Sequence, residues 1–410
     1  MSVVPAFDSL RDPAMRSACL VFALSLAATF ASSSVGAEEP AYTIETVTLF
    51  AGPAKYWFSQ ARGTMLADGK LLITTQEIER AGSHGYHDVF QVTSADGGDS
   101  WSQPKRIEPL RRGKTSTDSA DERAIGDLCP RYHAKTGLVL GTGKTFTFRG
   151  GTIEDRGTEQ VSYAVYDPKS DAWTSMKIVE LPKSDDEGLP FLQPNAGCND
   201  RVDLPSGEVL LPIRYCKDAK KRCYTTMVAR CRFDGTTLSY VEHGTELSRP
   251  LNRGLYEPSL ILHQGKLFLT MRADDTAFVS INPDPLGNDY TQPTEWKYDD
   301  GSVLGSYNTQ QHWASHGDKL YLIYTRRGAN NDHIFRHRAP LFIAEVDTDR
   351  LCVLRKTEQV LVPHNNADIG NFDVIPSGPK ETWVVAAESP NGPRVKDAHN
   401  NVIAARIRWK

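Results

Sequence analysis

Arginines recur along this chain at positions where they could bind a carboxylate. Arg62, Arg214 and Arg272 each lie near the end of an apolar segment, and Glu257 occupies a comparable position. A guanidinium group binds a carboxylate through two parallel hydrogen bonds. Packing alone would not select such polar residues at the ends of apolar strands. We therefore predict a cationic pocket for an acidic ligand, with solvated strand ends as the alternative reading.

A second group of polar residues lies further along the chain. Residues 308–313 include His312, and residues 324–333 include Tyr324, Arg326 and His333. This density of polar and aromatic side chains in loops is typical of a sugar pocket. Histidine and tyrosine could act as acid and base in a β-elimination at a uronic acid, while arginine neutralises its carboxylate. Loop histidines that only form hydrogen bonds are the alternative.

The elements that would position these residues repeat six times. Each unit is an apolar strand, a short turn containing glycine, and a second apolar strand; glycine suits the turn because it reaches positive φ at no steric cost. Equivalent positions in the units should form a ring. Seven residues after the first five turn glycines lie Gln76, Lys144, Arg214, Arg272 and Tyr324. The turn glycines are Gly69, Gly137, Gly207, Gly265, Gly317 and Gly378.

Most units have room for two further strands, such as those at residues 89–93 and 162–166. Six units of four strands with few helix signals predict an all-β fold, a six-bladed β-propeller of four-stranded antiparallel blades. Residues 42–50 would complete the last blade. A jelly roll or a stacked sandwich is the alternative, but neither would repeat one hairpin six times. We predict that residues 38–410 form one domain.

The turn at residues 94–101 is more specific. It reads S-A-D-G-G-D-S-W, the Asp-box pattern S-x-D-x-G-x-x-W. Asp96 is expected to accept backbone amides of the Gly97-Gly98 turn, and Trp101 to pack against its blade. On this box, and on the stretch E-P-S-L-I-L-H-Q-G-K-L-F-L-T-M-R, the chain resembles the sialidase superfamily over nearly all of residues 38–410.

The resemblance implies roles for several residues. In that family three arginines hold the carboxylate of sialic acid, a glutamate activates a tyrosine nucleophile, and a loop aspartate is the general acid/base. The stretch quoted above supplies Glu257 and Arg272. S-Q-A-R-G-T-M-L and R-A-P-L-F-I-A-E-V-D resemble the strands of the other two arginines and supply Arg62 and Arg338.

Two of the family's catalytic groups have no direct match. The loop that should carry the acid/base aspartate reads A-G-S-H-G-Y-H-D-V-F, so the candidates are His84, His87 and Asp88. The strand that should present the nucleophile reads G-N-F-D-V, with Asn371 near the position of the tyrosine. The candidate substitutes from other blades are Tyr256, Tyr307 and Tyr324.

The composition and the N-terminal residues indicate which partners and which location to expect for the protein. The 410 residues carry 47 Lys+Arg against 51 Asp+Glu, for a formal charge of -4, which argues against a nucleic-acid partner. Residues 1–37 combine early arginines, a short apolar run and small residues, and this pattern predicts a cleaved secretory signal without a stable membrane span. We expect an exported protein, periplasmic or extracellular, that is a monomer.

Six cysteines follow residue 37. In an oxidising compartment Cys216 and Cys223, which flank a short basic loop, are predicted to form a disulfide across a hairpin. No C-x-x-C pair occurs, so we expect no structural zinc site, and no cofactor is predicted. The acidic loop at residues 184–187 could hold calcium, although a solvated loop is the simpler interpretation.

Three functions stay open at this point. The first is a sialidase-like glycosidase that releases a terminal acidic sugar from a glycan, with His87 or Asp88 as proton donor. The second is a propeller polysaccharide lyase that acts on uronates through His312, His333 and Tyr324. The third is a propeller that binds acidic glycans without catalysis.

Overall fold

The six predicted hairpins are present, and each turns at its predicted glycine. A computed structural model of the chain describes residues 41–52, 56–79, 85–153, 158–218, 220–390 and 399–410. All six turn glycines have positive φ, from 59° at Gly317 to 108° at Gly378. The predicted secretory signal, residues 1–37, lies outside the described residues.

Six antiparallel sheets are the blades of a six-bladed β-propeller, which confirms the predicted fold class. Their innermost strands adjoin one another: that of blade 1 contacts those of blades 2 and 6, and that of blade 5 contacts those of blades 4 and 6. From the innermost strand outward, blade 1 comprises Trp57–Met65, Leu71–Ile78, Tyr86–Ser94 and Lys105–Arg106. Blade 2 comprises Asp121–His133, Leu138–Arg149, Val161–Asp167 and the short strands Ala172–Trp173 and Lys177–Ile178, and its inner hairpin is extended by Gly113–Lys114 and Thr152–Ile153. Blade 3 comprises Leu192–Asn195 and Val202–Asp203, then Glu208–Cys216, Tyr224–Phe233, Leu238–His243 and Leu247–Ser248.

The last blade joins the two ends of the described chain. Its outermost strand, Tyr42–Ala51, pairs antiparallel with Asn401–Trp409, which confirms the predicted closure. Closure of this kind satisfies the edge strands that an open sheet would expose. Blade 4 comprises Tyr256–His263, Lys266–Arg272, Ala277–Asn282 and Thr294–Glu295. Blade 5 comprises His312–His316, Lys319–Tyr324, Leu341–Asp347, Cys352–Val353 and Gln359–Val362. Blade 6 comprises Phe372–Pro376, Glu381–Ala387, Asn401–Trp409 and Tyr42–Ala51, and the separate strand pair Ala367–Asp368 and Ser389–Pro390 lies beside it.

Helix is confined to single turns in the described residues. The 3-10 turns there are Glu108–Leu110, Phe335–His337 and Arg355–Thr357. None of the helices in the described ranges has the length and apolar content that crossing a membrane requires.

The hydrophobic core is divided into layers between neighbouring blades. Trp296 of blade 4 lies 5.8 Å from Trp313 of blade 5, measured between ring centroids, and both are buried. Comparable clusters fill the other interfaces around the ring. Each sheet therefore buries apolar side chains on both faces, which explains the nearly continuous apolar runs in the inner strands.

The cysteine prediction was wrong. The six cysteines in the described residues are free thiols. Cys216 lies opposite Tyr224 in the strand register, and Cys223 is one residue away, so the two side chains belong to opposite faces of the hairpin. The Cys223 thiol instead lies 3.3 Å from the carbonyl oxygen of Arg249.

The turn at residues 94–101 uses a different set of contacts from the predicted one. The Asp96 carboxylate accepts a hydrogen bond from the Ser100 amide at 3.0 Å, whereas the Gly98 amide donates to the Ser94 hydroxyl at 2.8 Å. Hydrogen bonds from Ser100, above all from its hydroxyl, lower the pKa of Asp96. Trp101 lies 5.9 Å from Trp383 of the neighbouring blade 6. The turn therefore joins blade 1 to blade 6.

Replacing Gly98 with alanine should destabilise the fold more than replacing Gly97. Both glycines have positive φ, which costs an alanine about 1–2 kcal/mol. A Cβ at Gly98 would also lie 2.2 Å from Trp383, whereas a Cβ at Gly97 meets nothing within 4 Å. Overpacking adds about 1–3 kcal/mol. Thermal unfolding should show a clearly larger loss for Gly98→Ala, and equal losses would contradict the contact with Trp383.

Candidate functional site

The inner strands of blades 1 to 4 share a bulge that sequence reasoning missed. The strand register shifts at one point in each of them. One residue at each shift has positive φ, between 46° and 57°. A bulge of this kind turns a side chain away from the regular alternation of the strand. These residues are Gln60, Asp127, Gln193 and Glu257, and Asn308, with φ 50°, lies just before the inner strand of blade 5.

In blades 2 to 4 the bulge residue contacts a cation from the second strand of its own blade. Lys144 Nζ lies 3.5 Å from Asp127 Oδ2. Arg214 Nη1 donates to the carbonyl oxygen of Gln193 at 2.7 Å. Arg272 pairs with Glu257 in the same way. The structure thus places Lys144, Arg214 and Arg272, three of the predicted ring positions, at equivalent sites.

A cleft of about 130 Å³ opens beside these bulges. Its lining contains four cations and two carboxylates, and two of the cations, Lys144 and Arg253, pair with Asp127 and Asp274, which are not lining residues. Arg214 is 6% exposed, and its guanidinium stacks 4.0 Å from the centre of the Tyr224 ring. Within the described ranges it forms no ion pair with a carboxylate. The charged lining residues are Lys144, Glu159, Arg214, Arg222, Arg253 and Glu257.

Glu257 is held as an anion at one side of the cleft. Burial alone would raise its pKa, but its ion pair with Arg272 and the nearby charge of Arg338 lower the pKa to about 2. Arg338 itself donates to the carbonyl oxygen of Asn308 at 2.9 Å and lies 3.5 Å from Asp368. The structure therefore brings Glu257, Arg272 and Arg338 together.

Tyr256 also lines the cleft and has an acceptor for its proton. Its hydroxyl donates to Asp274 Oδ1 at 2.6 Å. The guanidinium groups of Arg253 and Arg272 each lie 4.7 Å from the centre of its ring. Burial is the largest cause that raises the pKa of Tyr256, so the phenol is neutral near pH 7.

Arg62 and His312 lie in the channel and not on the cleft. Both are fully buried. Arg62 Nη2 donates to Gln310 Oε1 at 2.7 Å, and its Nη1 donates to the carbonyl oxygen of Phe372 and lies 3.5 Å from His312 Nε2. His312 Nδ1 lies 2.7 Å from Asp200 Oδ2. These contacts occupy the groups that the predicted roles in ligand binding and proton transfer would use, and those roles stay predictions.

The same network extends to blades 2 and 6 through Arg131. Its guanidinium pairs with Asp200 of blade 3 and lies 2.6 Å from Asp373 of blade 6. Asp373 in turn accepts the Gly63 amide of blade 1 at 2.8 Å. We call Arg62, Arg131, Asp200, His312 and Asp373 the channel network.

The predicted proton donors lie on the third strand of blade 1. His87 Nε2 lies 3.1 Å from Glu79 Oε1. Asp88 accepts the Arg112 amide at 3.0 Å and lies 3.5 Å from Arg106. His84 falls outside the described residues. The proton-donor role of His87 and Asp88 stays a prediction, and Asp127 is a further carboxylate among the bulge residues.

The predicted lyase residues do not form one cluster. The Tyr324 hydroxyl donates to Glu358 Oε2 at 2.5 Å, and Arg326 Nε donates to the same oxygen at 2.9 Å. His333 instead lies 5.2 Å from His364 between ring centroids. These contacts do not involve His312, and their catalytic roles stay untested.

The fold is shared with known sialidases. No protein-family model and no curated protein sequence matches the chain. Among solved structures, a Trypanosoma rangeli sialidase superposes with a TM-score of 0.61 at 12% identity, covering 88% of this chain and 59% of that one. The Hadza microbial sialidase Hz136 gives 0.58 at 13%, covering 85% and 65%. A Dyadobacter fermentans protein of unknown function gives 0.61 at 12%, covering 90% and 99%.

These comparisons confirm a sialidase-like propeller fold. The chain spans about three fifths of the length of the T. rangeli sialidase. At these identities the likeness concerns the fold, and the chemistry of the site has to be argued from its own residues.

Acid should remove a part of the stability that depends on Glu257. Because its pKa is lowered to about 2, from an ordinary value of about 4.3, its contribution is complete above pH 4.3 and is lost as the pH falls toward 2. In Glu257→Gln the loss of unfolding free energy between pH 6 and pH 3 should be smaller than in wild type by about 1–2 kcal/mol.

Denaturant titrations at both pH values measure this difference. Glu45→Gln is the control, because Glu45 forms an ion pair with Arg408 in which both side chains are about half exposed. The pH dependence of that variant should match wild type. An unchanged pH dependence in Glu257→Gln would contradict the Glu257–Arg272 pair.

Proposed function

We propose that the protein is a glycoside hydrolase of the exo-α-sialidase type, which releases a terminal acidic sugar from glycans. The observation that carries the proposal is Arg214, a buried guanidinium that lines the cleft and has no carboxylate within ion-pair distance in the described residues. A buried charge without a counterion is costly. An acidic sugar in the cleft would supply the missing carboxylate.

The residues beside Arg214 suit the chemistry of such a substrate. Tyr256 is the candidate nucleophile, because its hydroxyl already donates to Asp274, and this carboxylate would accept the proton as the phenolic oxygen attacks the anomeric carbon. Glu257 stays ionised and would stabilise the positive charge that develops on the sugar ring. As the glycosidic bond breaks, Asp127 or Asp88 in its protonated form would donate a proton to the leaving oxygen. Water, giving a proton back to the same carboxylate, would then cleave the bond between the sugar and Tyr256, and Asp274 would return its proton to the phenolic oxygen.

An exported location and a glycan ligand belong to the same proposal. The predicted signal at residues 1–37 supports export. The solved sialidases that share this fold support a glycan ligand. The position of the cleft at the bulges of the inner strands agrees with the tendency of propellers to bind ligands near the central channel.

A panel of sialosides and uronate-containing glycans tests the reaction type, with free acidic sugar and near-ultraviolet absorbance read together. We expect released sugar without new absorbance. Tyr256→Phe should lower the rate at least about a hundredfold, because the nucleophile and its proton are lost. Tyr224→Phe is the matched control, since Tyr224 lines the same cleft, and it should keep nearly full activity.

Other outcomes would replace the proposal. Rising absorbance would indicate an unsaturated product and a lyase. No turnover, together with binding of an acidic sugar that survives in Tyr256→Phe, would indicate a glycan-binding propeller. Equal rates in Tyr256→Phe and Tyr224→Phe would exclude Tyr256 as nucleophile.

Arg214 should determine affinity more than turnover. Losing a charge-assisted contact of about 1.5–3 kcal/mol should raise KM in Arg214→Met roughly 10- to 100-fold, with a smaller change in kcat. Arg214→Lys should recover part of the loss. Lys105→Met, on the outermost strand of blade 1, removes an exposed cation and should leave KM unchanged. A fall in kcat at constant KM would contradict a role in holding the carboxylate.

A further inference from the structure

The acidic loop at residues 184–187 lies beside the outer strands of blade 3 and has no part in the proposed reaction. Four carboxylates meet there, and Lys217 Nζ lies within 3.0 Å of three of them. One lysine leaves a local surplus of negative charge. The carboxylates belong to Asp185, Asp186, Glu187 and Glu246, and Asp186 is the one that Lys217 does not contact.

His243 points into this cluster with an unsatisfied nitrogen. Its side chain is only 7% exposed, and its ring lies between the rings of Phe191 and Tyr240, with centroids at 5.9 and 6.1 Å. Nδ1 lies 2.6 Å from the Tyr240 hydroxyl, which fixes the orientation of the ring. Nε2 is buried and has no hydrogen-bond partner.

The atoms around Nε2 have the spacing of metal ligands. His243 Nε2 lies 3.3 Å from Glu246 Oε1 and 3.6 Å from Asp186 Oδ1, and all three ligand atoms lie within 4.8 Å of one another. A tetrahedral ion with bonds of about 2.1 Å separates its ligand atoms by about 3.4 Å. The three atoms could therefore coordinate one ion after only small side-chain movements.

We propose that His243, Asp186 and Glu246 bind a divalent transition-metal ion of the zinc class. The imidazole nitrogen favours zinc over calcium, which prefers an all-oxygen shell. The hydrogen bond between Nδ1 and Tyr240 is the outer contact that commonly orients a histidine ligand. The ion would cross-link the acidic loop to the strand Leu238–His243. None of its three ligands is among the residues proposed for catalysis.

Calorimetric titration of the chelator-treated full chain with zinc chloride alone tests the proposal. Wild type should bind one equivalent, and its unfolding temperature should rise with zinc. His243→Gln should weaken binding at least about tenfold and lose the thermal shift. Asp186→Asn should weaken binding as well, and because Asp186 is 76% exposed, this variant is the safer one for folding.

Glu187→Gln is the matched control, because Glu187 contacts the same Lys217 but is not one of the three ligands. It should bind zinc as wild type does. The proposal is overturned if wild type binds no zinc, or if both His243→Gln and Asp186→Asn bind as tightly as wild type. Calcium binding that survives in His243→Gln would also overturn it, since it would place an oxygen-only site in the loop. Unfolding temperatures measured in chelator confirm that the variants fold.

Discussion

Five of the six blades are held to one another at the centre by a network of buried charged groups. Arg131 pairs with Asp200 and Asp373, which belong to two other blades. Burial would raise the pKa of Asp200, but Arg131 and His312 lower it, so the carboxylate stays charged. Removing one member would leave a buried charge unpaired, which is far more costly than the net gain from the pair. The network can be satisfied only when blades 1, 2, 3, 5 and 6, which supply its five members, have closed in the correct order, so it constrains the register of most of the ring.

The channel network lies apart from the cleft. Arg62 and His312 are fully buried at the centre, and the cleft lies beside the bulges of the inner strands. The two regions are linked by chain spacing. Glu257 at the bulge contributes to the cleft, whereas Ser259, two residues later, donates to Asp200 at 2.8 Å. Gln60 and Arg62 have the same spacing in blade 1. In blade 4 the bulge thus separates a residue that lines the cleft from a residue committed to the scaffold, whereas in blade 1 Gln60 accepts a hydrogen bond from Arg62 at 3.0 Å.

The sequence was sufficient for the fold because glycine turns and apolar runs are local signals. All six turn positions and the closing strand could be predicted from them. The bulges could not, since one inserted residue barely disturbs an apolar run in strands buried on both faces. Arg62 illustrates the consequence: its position in the repeat suggested a ligand contact, but its partners Gln310 and Phe372 lie 248 and 310 residues away. Pairings across that separation depend on tertiary packing, and no periodic pattern encodes them. The Cys216–Cys223 prediction was wrong for a related reason, since chain proximity does not determine strand register.

The arginines of the channel network and Arg214 in the cleft differ in the partners that the protein provides for them. In the channel network Arg131 pairs with Asp200 and Asp373, and Arg62 donates to Gln310 and to the carbonyl oxygen of Phe372, so both guanidinium groups have partners within the protein. In the cleft, Lys144 and Arg253 pair with Asp127 and Asp274, whereas Arg214 has only a carbonyl and an aromatic ring as partners within the described residues. A protein that needed these cations only for folding could replace Arg214 with a neutral side chain at lower desolvation cost. A preorganised guanidinium without a counterion can pair with an anionic ligand, and this favours an anion-binding site over a purely structural cleft.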